Sequence, residues 1–129
     1  MIYLDTSVAL AQLLGETRIP PPALWGEPLI SSRLLEYELW TRVHARKLPS
    51  RHHEEVRSLL EQVSLLELSP AVLARALQPF PIPVRTLDAL HLATLDYLSS
   101  NGRPVPLASY DERLNEAATR MGMKLYAAG

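Results

Sequence analysis

The chain has 129 residues, 47% of them hydrophobic, with 13 basic against 14 acidic side chains and no cysteine. This composition supports one buried core, so residues 1–129 read as a single domain within the usual range of roughly 50–250 residues. It excludes a disulfide framework, a thiolate metal site, a membrane-spanning helix and a globally basic nucleic-acid binder, and it leads us to expect a cytoplasmic protein.

In chain order, Ile2-Tyr3-Leu4 suits a buried strand and runs into Asp5 and two hydroxyls, Thr6 and Ser7. Val8, Leu10, Ala11, Leu13 and Leu14 follow at helical spacing. Asp5 either caps this helix or offers a carboxylate where α/β folds bind ligands, beyond the carboxyl ends of their strands. Residues 15–28 contain Pro20-Pro21-Pro22 and read as a loop with a short helical turn around Ala23-Leu24-Trp25. A short strand over 28–31 precedes a helix capped by Ser31 or Ser32 and running to about Arg46, with Leu35, Leu39 and Val43 on one stripe. Beyond Pro49 the pattern predicts a helix over 51–62 and a strand over 64–68. Ser69-Pro70 starts another helix, and Pro79-Phe80-Pro81-Ile82-Pro83 is an extended connector. Thr86 is expected to cap a long helix through Leu98. Residues 105–109 read as a strand, 111–121 as a helix ended by Gly122, and 123–126 as a last strand. Alternating strands and helices imply right-handed crossovers, hence a three-layer α/β/α fold around a mainly parallel sheet of four to five strands.

Acids recur at the strand-to-helix junctions of this outline. They are Asp5, Glu36 and Glu38, Asp88 and Asp111. Asp88 stands in a helix that is apolar almost all round, so its charge needs a partner, either His91 one turn on or a cation. Carboxylates sharing a cavity repel one another unless something positive sits among them, and oxygen-only ligands favour magnesium or manganese over zinc. With no glycine-rich phosphate loop and no thiolate, the pattern points to metal-assisted phosphodiester hydrolysis. A strand ending in Asp5 also fits an aspartyl-phosphate phosphatase, although the second aspartate that such sites want is missing. Arg42, His44, Arg46, Lys47, Arg51, His52 and His53 form a local basic cluster, either a helix end complementing its dipole or a phosphate contact.

Four stretches in order resemble the PIN-domain ribonucleases, and within them the VapC-type toxins of toxin–antitoxin systems. They are Tyr3-Leu4-Asp5-Thr6-Ser7; Ser31-Ser32 through Glu38-Leu39; Arg85 through Thr94, including Leu87-Asp88-Ala89-Leu90-His91; and Ala108-Ser109-Tyr110-Asp111-Glu112-Arg113-Leu114. The resemblance implies a PIN-like domain with an acidic quartet of Asp5, Glu38, Asp88 and Asp111 holding Mg2+ or Mn2+. It selects Glu38 over Glu36, which point roughly 200° apart on a helix. Thr6, Ser7 and Ser109 become supporting residues, Arg42, Arg46 and Lys47 candidate RNA contacts, and Asp96 falls outside the motif. The implied partners are an RNA substrate, a cognate antitoxin covering the acidic groove, for which Trp25, Tyr37 and Trp40 suit contact, and a second copy in a homodimer. A non-catalytic domain that kept the fold is the alternative, and retention of all four acids argues against it.

Overall fold

The computed structural model describes residues 1–15 and 17–128; Glu16, within the 15–28 loop, and Gly129, the end of the expected domain, lie outside them. Among the described residues the order is β1 (Ile2–Leu4), α1 (Thr6–Leu14), a 3-10 turn (Pro22–Gly26), β2 (Leu29–Ser32), α2 (Leu34–Ala45) and α3 (Ser50–Glu61). The chain continues through β3 (Val63–Leu66), α4 (Pro70–Ala76), α5 (Thr86–Ser100), β4 (Leu107–Ala108) and α6 (Glu112–Arg120).

The sheet order is β3-β2-β1-β4 and every pairing is parallel. Tyr3 stands opposite Ile30 on one side and Leu107 on the other, so β1 is central. All residues of β1 and β2 are buried, as expected of parallel strands covered on both faces. Strand alternation sorts their side chains into two cores. Ile2 and Leu4 join Val8, Leu35, Leu39 and Val43 beneath the first three helices, whereas Tyr3 joins Leu92, Leu95 and Leu114 beneath α5 and α6. Those are the two outer layers of an α/β/α fold.

Local chemistry sets most boundaries. Ser69 Oγ accepts from Val72 N, with Pro70 at the first helical position of α4. Gly122 ends α6 with φ +84°, a left-handed conformation that favours glycine. Ser32 Oγ accepts from Leu34 N at the entry of α2. Three expectations are corrected. Thr86 lies inside α5, whose N-cap is the extended Arg85 with no side-chain bond. The strand over 105–109 shortens to two residues, because Pro106 brings no N–H to the ladder. The predicted last strand contributes only the parallel bridge Leu107–Leu125.

Candidate active site

Asp5 leaves the carboxyl end of β1 and caps α1 with one of its two oxygens. Its Oδ2 accepts from Ser7 N (3.3 Å), Ser7 Oγ (2.6 Å) and Ser109 Oγ (2.8 Å), which caps α1 and fixes the carboxylate. The other oxygen, Oδ1, stands 4.0 Å from His91 Nε2. Asp5 and Tyr3 are two residues apart on a strand, so they share the face that looks toward α5.

Glu38 comes from α2, where the buried Leu35, Leu39 and Val43 lock the helix to the sheet. Its Oε1 accepts from Thr6 Oγ1 at 2.8 Å and from His91 Nε2 at 2.7 Å. His91 is only 1% exposed, and its Nδ1 meets Tyr3 OH at 2.7 Å. In the neutral ring the phenol donates to Nδ1 and Nε2–H donates to Glu38. Burial drives the Tyr3 phenol far up, so it stays protonated and available as that donor. Burial also disfavours the imidazolium of His91. The Glu38 hydrogen bond and the charges of Asp5, Glu38 and Asp88 outweigh it and raise the imidazole above its usual range.

Asp111 caps α6, its Oδ1 accepting from Arg113 N (3.0 Å) and Leu114 N (3.1 Å). Ser109 ties this acid to the first, since its hydroxyl donates to Asp5 Oδ2 and accepts from Asp111 N at 3.0 Å. Asp88, in the first turn of α5, is half-buried. Burial raises its carboxyl above the ordinary range, the charges of Asp111, Asp5 and Glu38 add to the rise, and His91 opposes it. The four acids thus share one electrostatic neighbourhood beside the end of the central strand. Among the described residues no three acidic or histidine side chains close on one point as a metal cage. Asp5, Glu38 and Asp111 instead accept hydrogen bonds from the hydroxyls, amides and imidazole beside them.

The remaining acids separate cleanly. Glu36 pairs with Arg33 at 3.5 Å on the outer side of α2, and Asp96 pairs with Arg75 between α5 and α4. The basic cluster divides as well. His44 stacks on Trp40 (centroids 5.7 Å apart, planes at 23°), and His53 meets both rings edge-on. Arg42, Arg46 and Lys47 remain exposed, as does Tyr37, whereas Trp25 and Trp40 are half-buried against the core. The hydrogen-bond role of Tyr3 does not follow from residue spacing. The available signal was a phenol on a buried strand, which needs a polar partner.

The PIN domain family profile matches residues 2–119. This chain belongs to the PIN-domain family. Its relatives place it among the VapC-type members. It is 33% identical over 138 aligned residues to ribonuclease VapC35 of Mycobacterium tuberculosis (strain CDC 1551 / Oshkosh), covering 100% of this chain and 98% of that protein. Ribonuclease VapC46 of Mycobacterium tuberculosis (strain ATCC 25618 / H37Rv) is 32% identical, over 98% of this chain and 96% of that protein. The crystal structure of Mycobacterium tuberculosis VapC20, a sarcin-ricin loop cleaving toxin, superposes with a TM-score of 0.70, covering 91% of this chain and 95% of that one. At 19% identity that likeness speaks for the fold, which is the PIN fold expected from the sequence. No helix among the described residues is long and apolar enough to cross a membrane.

Proposed function

We propose that this PIN domain is a divalent-metal-dependent endoribonuclease that cleaves RNA phosphodiester bonds by hydrolysis, acting as a toxin restrained by a cognate antitoxin. The observation that carries the reading is geometric: His91 Nε2 meets Glu38 at 2.7 Å and stands 4.0 Å from Asp5, and Ser109 joins Asp5 to the backbone of Asp111, while burial and then the charges of Asp111, Asp5 and Glu38 raise the Asp88 carboxyl beside them. Such a group of oxygen donors suits a hard cation, Mg2+ or Mn2+, and Asp5, Glu38, Asp88 and Asp111 would hold it. A divalent ion there supplies Lewis acidity toward phosphoryl oxygens and water. The chain's own residues prepare the site. Ser7 and Ser109 set the orientation of Asp5, and Thr6 and His91 hold Glu38, with Tyr3 fixing the His91 ring. We further infer a cytoplasmic location and a homodimer, paired through the exposed apolar face of Leu73 and Leu77.

The test is cleavage of RNA by the purified protein with and without Mg2+ or Mn2+, beside Asp5→Asn and Asp88→Asn. Each variant should lose about 100-fold or more, at or beyond the loss seen when residues that merely support a ligand are removed. Equal cleavage by all three proteins would assign the activity to a contaminant. Turnover of a small phosphate ester without RNA cleavage would favour a phosphatase instead.

A further inference from the structure

A groove of about 340 Å³ is lined by Ser7, the partner of Asp5, together with Leu10, Ala11, Arg18, Arg42 and Tyr110. Its connection to the acidic site is covalent and hydrogen-bonded. Ser7 Oγ donates to Asp5 Oδ2 and accepts from Tyr110 N at 2.9 Å, and Tyr110 directly precedes Asp111. On α2, Glu38 and Arg42 are four residues apart and therefore share a face, and Arg46, four further on, continues the same row past the helix end.

Charge reverses over that short distance. Four carboxylates stand on one side, and two exposed guanidiniums, Arg18 and Arg42, stand on the other. The guanidinium of Arg18 lies over the Tyr110 ring, 4.3 Å from its centroid, and the ring restricts how the planar fork can turn. The Tyr110 hydroxyl donates to the Ala128 carbonyl, so the ring itself is anchored.

Resting on the ribonuclease reading, we infer that this groove is a subsite for the RNA phosphate next to the one being cleaved, held by Arg18 and Arg42 with Tyr110 backing the Arg18 fork. A polynucleotide carries an anion at every nucleotide. A strand with one phosphate among the acids must set another nearby, and guanidinium forks match phosphate oxygens. Arg46 then extends the path along α2. The same forks would also accept the carboxylates of an acidic peptide. RNA is the assignment because two residues lining the groove adjoin the acids proposed to act on a phosphate, Ser7 by its hydrogen bond to Asp5 and Tyr110 as the neighbour of Asp111.

The experiment measures binding of a short, mixed-sequence, single-stranded oligoribonucleotide by fluorescence anisotropy at several salt concentrations, in an Asp88→Asn background that does not cut the probe. Arg18→Ala and Arg42→Ala should each weaken binding by about 5–10-fold and make the salt dependence shallower by roughly 0.7 in log–log slope. Arg120→Ala, at the far end of α6 and paired with Glu116, should change neither. Unaltered affinity and slope in both groove variants would overturn the inference. So would loss of polyglutamate binding with RNA binding intact, which would make the groove a peptide site. Cleavage by the wild-type protein is read separately. Its absence would sink the ribonuclease reading, whereas normal cleavage with unaltered slopes would sink only the subsite.

Discussion

At the scale of single residues, the proposed site would set stability against function, and Asp88 tests this most directly. Its folded carboxyl binds a proton more tightly than the ordinary value of 3.8. The native state therefore holds more protons than the unfolded state between those two values, and stability falls as pH rises through them. Asp88→Asn removes the repulsion. In metal-free buffer at neutral pH it should raise the melting temperature by roughly 1–3 °C, a small gain because solvent screens a half-exposed group. The gain should vanish as pH falls toward 4, while RNA cleavage stays lost. An Asn variant less stable than wild type at neutral pH would refute the repulsion. Thr6 offers the converse case. Thr6→Val keeps the shape and deletes the hydroxyl bonded to Glu38, so cleavage should drop about 10–100-fold in a protein that melts normally. Sequence alone brought out each of these acids and hydroxyls, but not their assignment of oxygens. One oxygen of Asp5 caps α1 and the other stands 4.0 Å from His91 Nε2, a division that no spacing rule contains.

At the scale of elements, legibility followed the strength of local signals. The Ser69-Pro70 start, the Gly122 stop and the Leu35–Leu39–Val43 stripe each impose their own conformation, and each stands where the pattern placed it. The last strand did not form because apolar residues near an edge specify burial but not ladder pairing, which depends on a neighbour only two residues long. The short α4 presents another feature that periodicity leaves undecided. Leu77, just past its end, is 86% exposed, with Leu73 and Leu87 exposed nearby. Leu73 and Leu77 line a groove of about 670 Å³ that also takes in Phe80 and Ile82. An apolar face of this kind suits a second copy of the chain. Leu77→Glu should therefore convert a dimer into a monomer in light scattering while leaving the melting curve nearly unchanged. A wild-type chain that already runs as a monomer would remove the dimer from the proposal.

For the molecule as a whole, the parallel sheet explains why residues separated by more than a hundred positions meet. Ser109 and Asp5 touch because β4 lies beside β1 in the same direction, which sets both carboxyl ends on one edge. Glu38 arrives there on the helix after β2, and α5 crosses the same edge with Asp88 and His91. Assembling like charges in this way leaves the native state with repulsion that the unfolded chain lacks, and the proposed cation would relieve it only in the folded protein. Mg2+ or Mn2+ should consequently stabilise the fold by about 2.7 kcal/mol at a hundredfold excess over Kd, a rise in Tm of roughly 5–15 °C. An equal ionic strength of potassium chloride should give far less, since screening acts on all exposed charges alike. Asp88→Asn should start from a higher metal-free Tm and gain much less on adding metal. Equal increments in wild type and Asp88→Asn would place the ion elsewhere, and no increment in either at millimolar metal would mean that the four carboxylates hold no common ion.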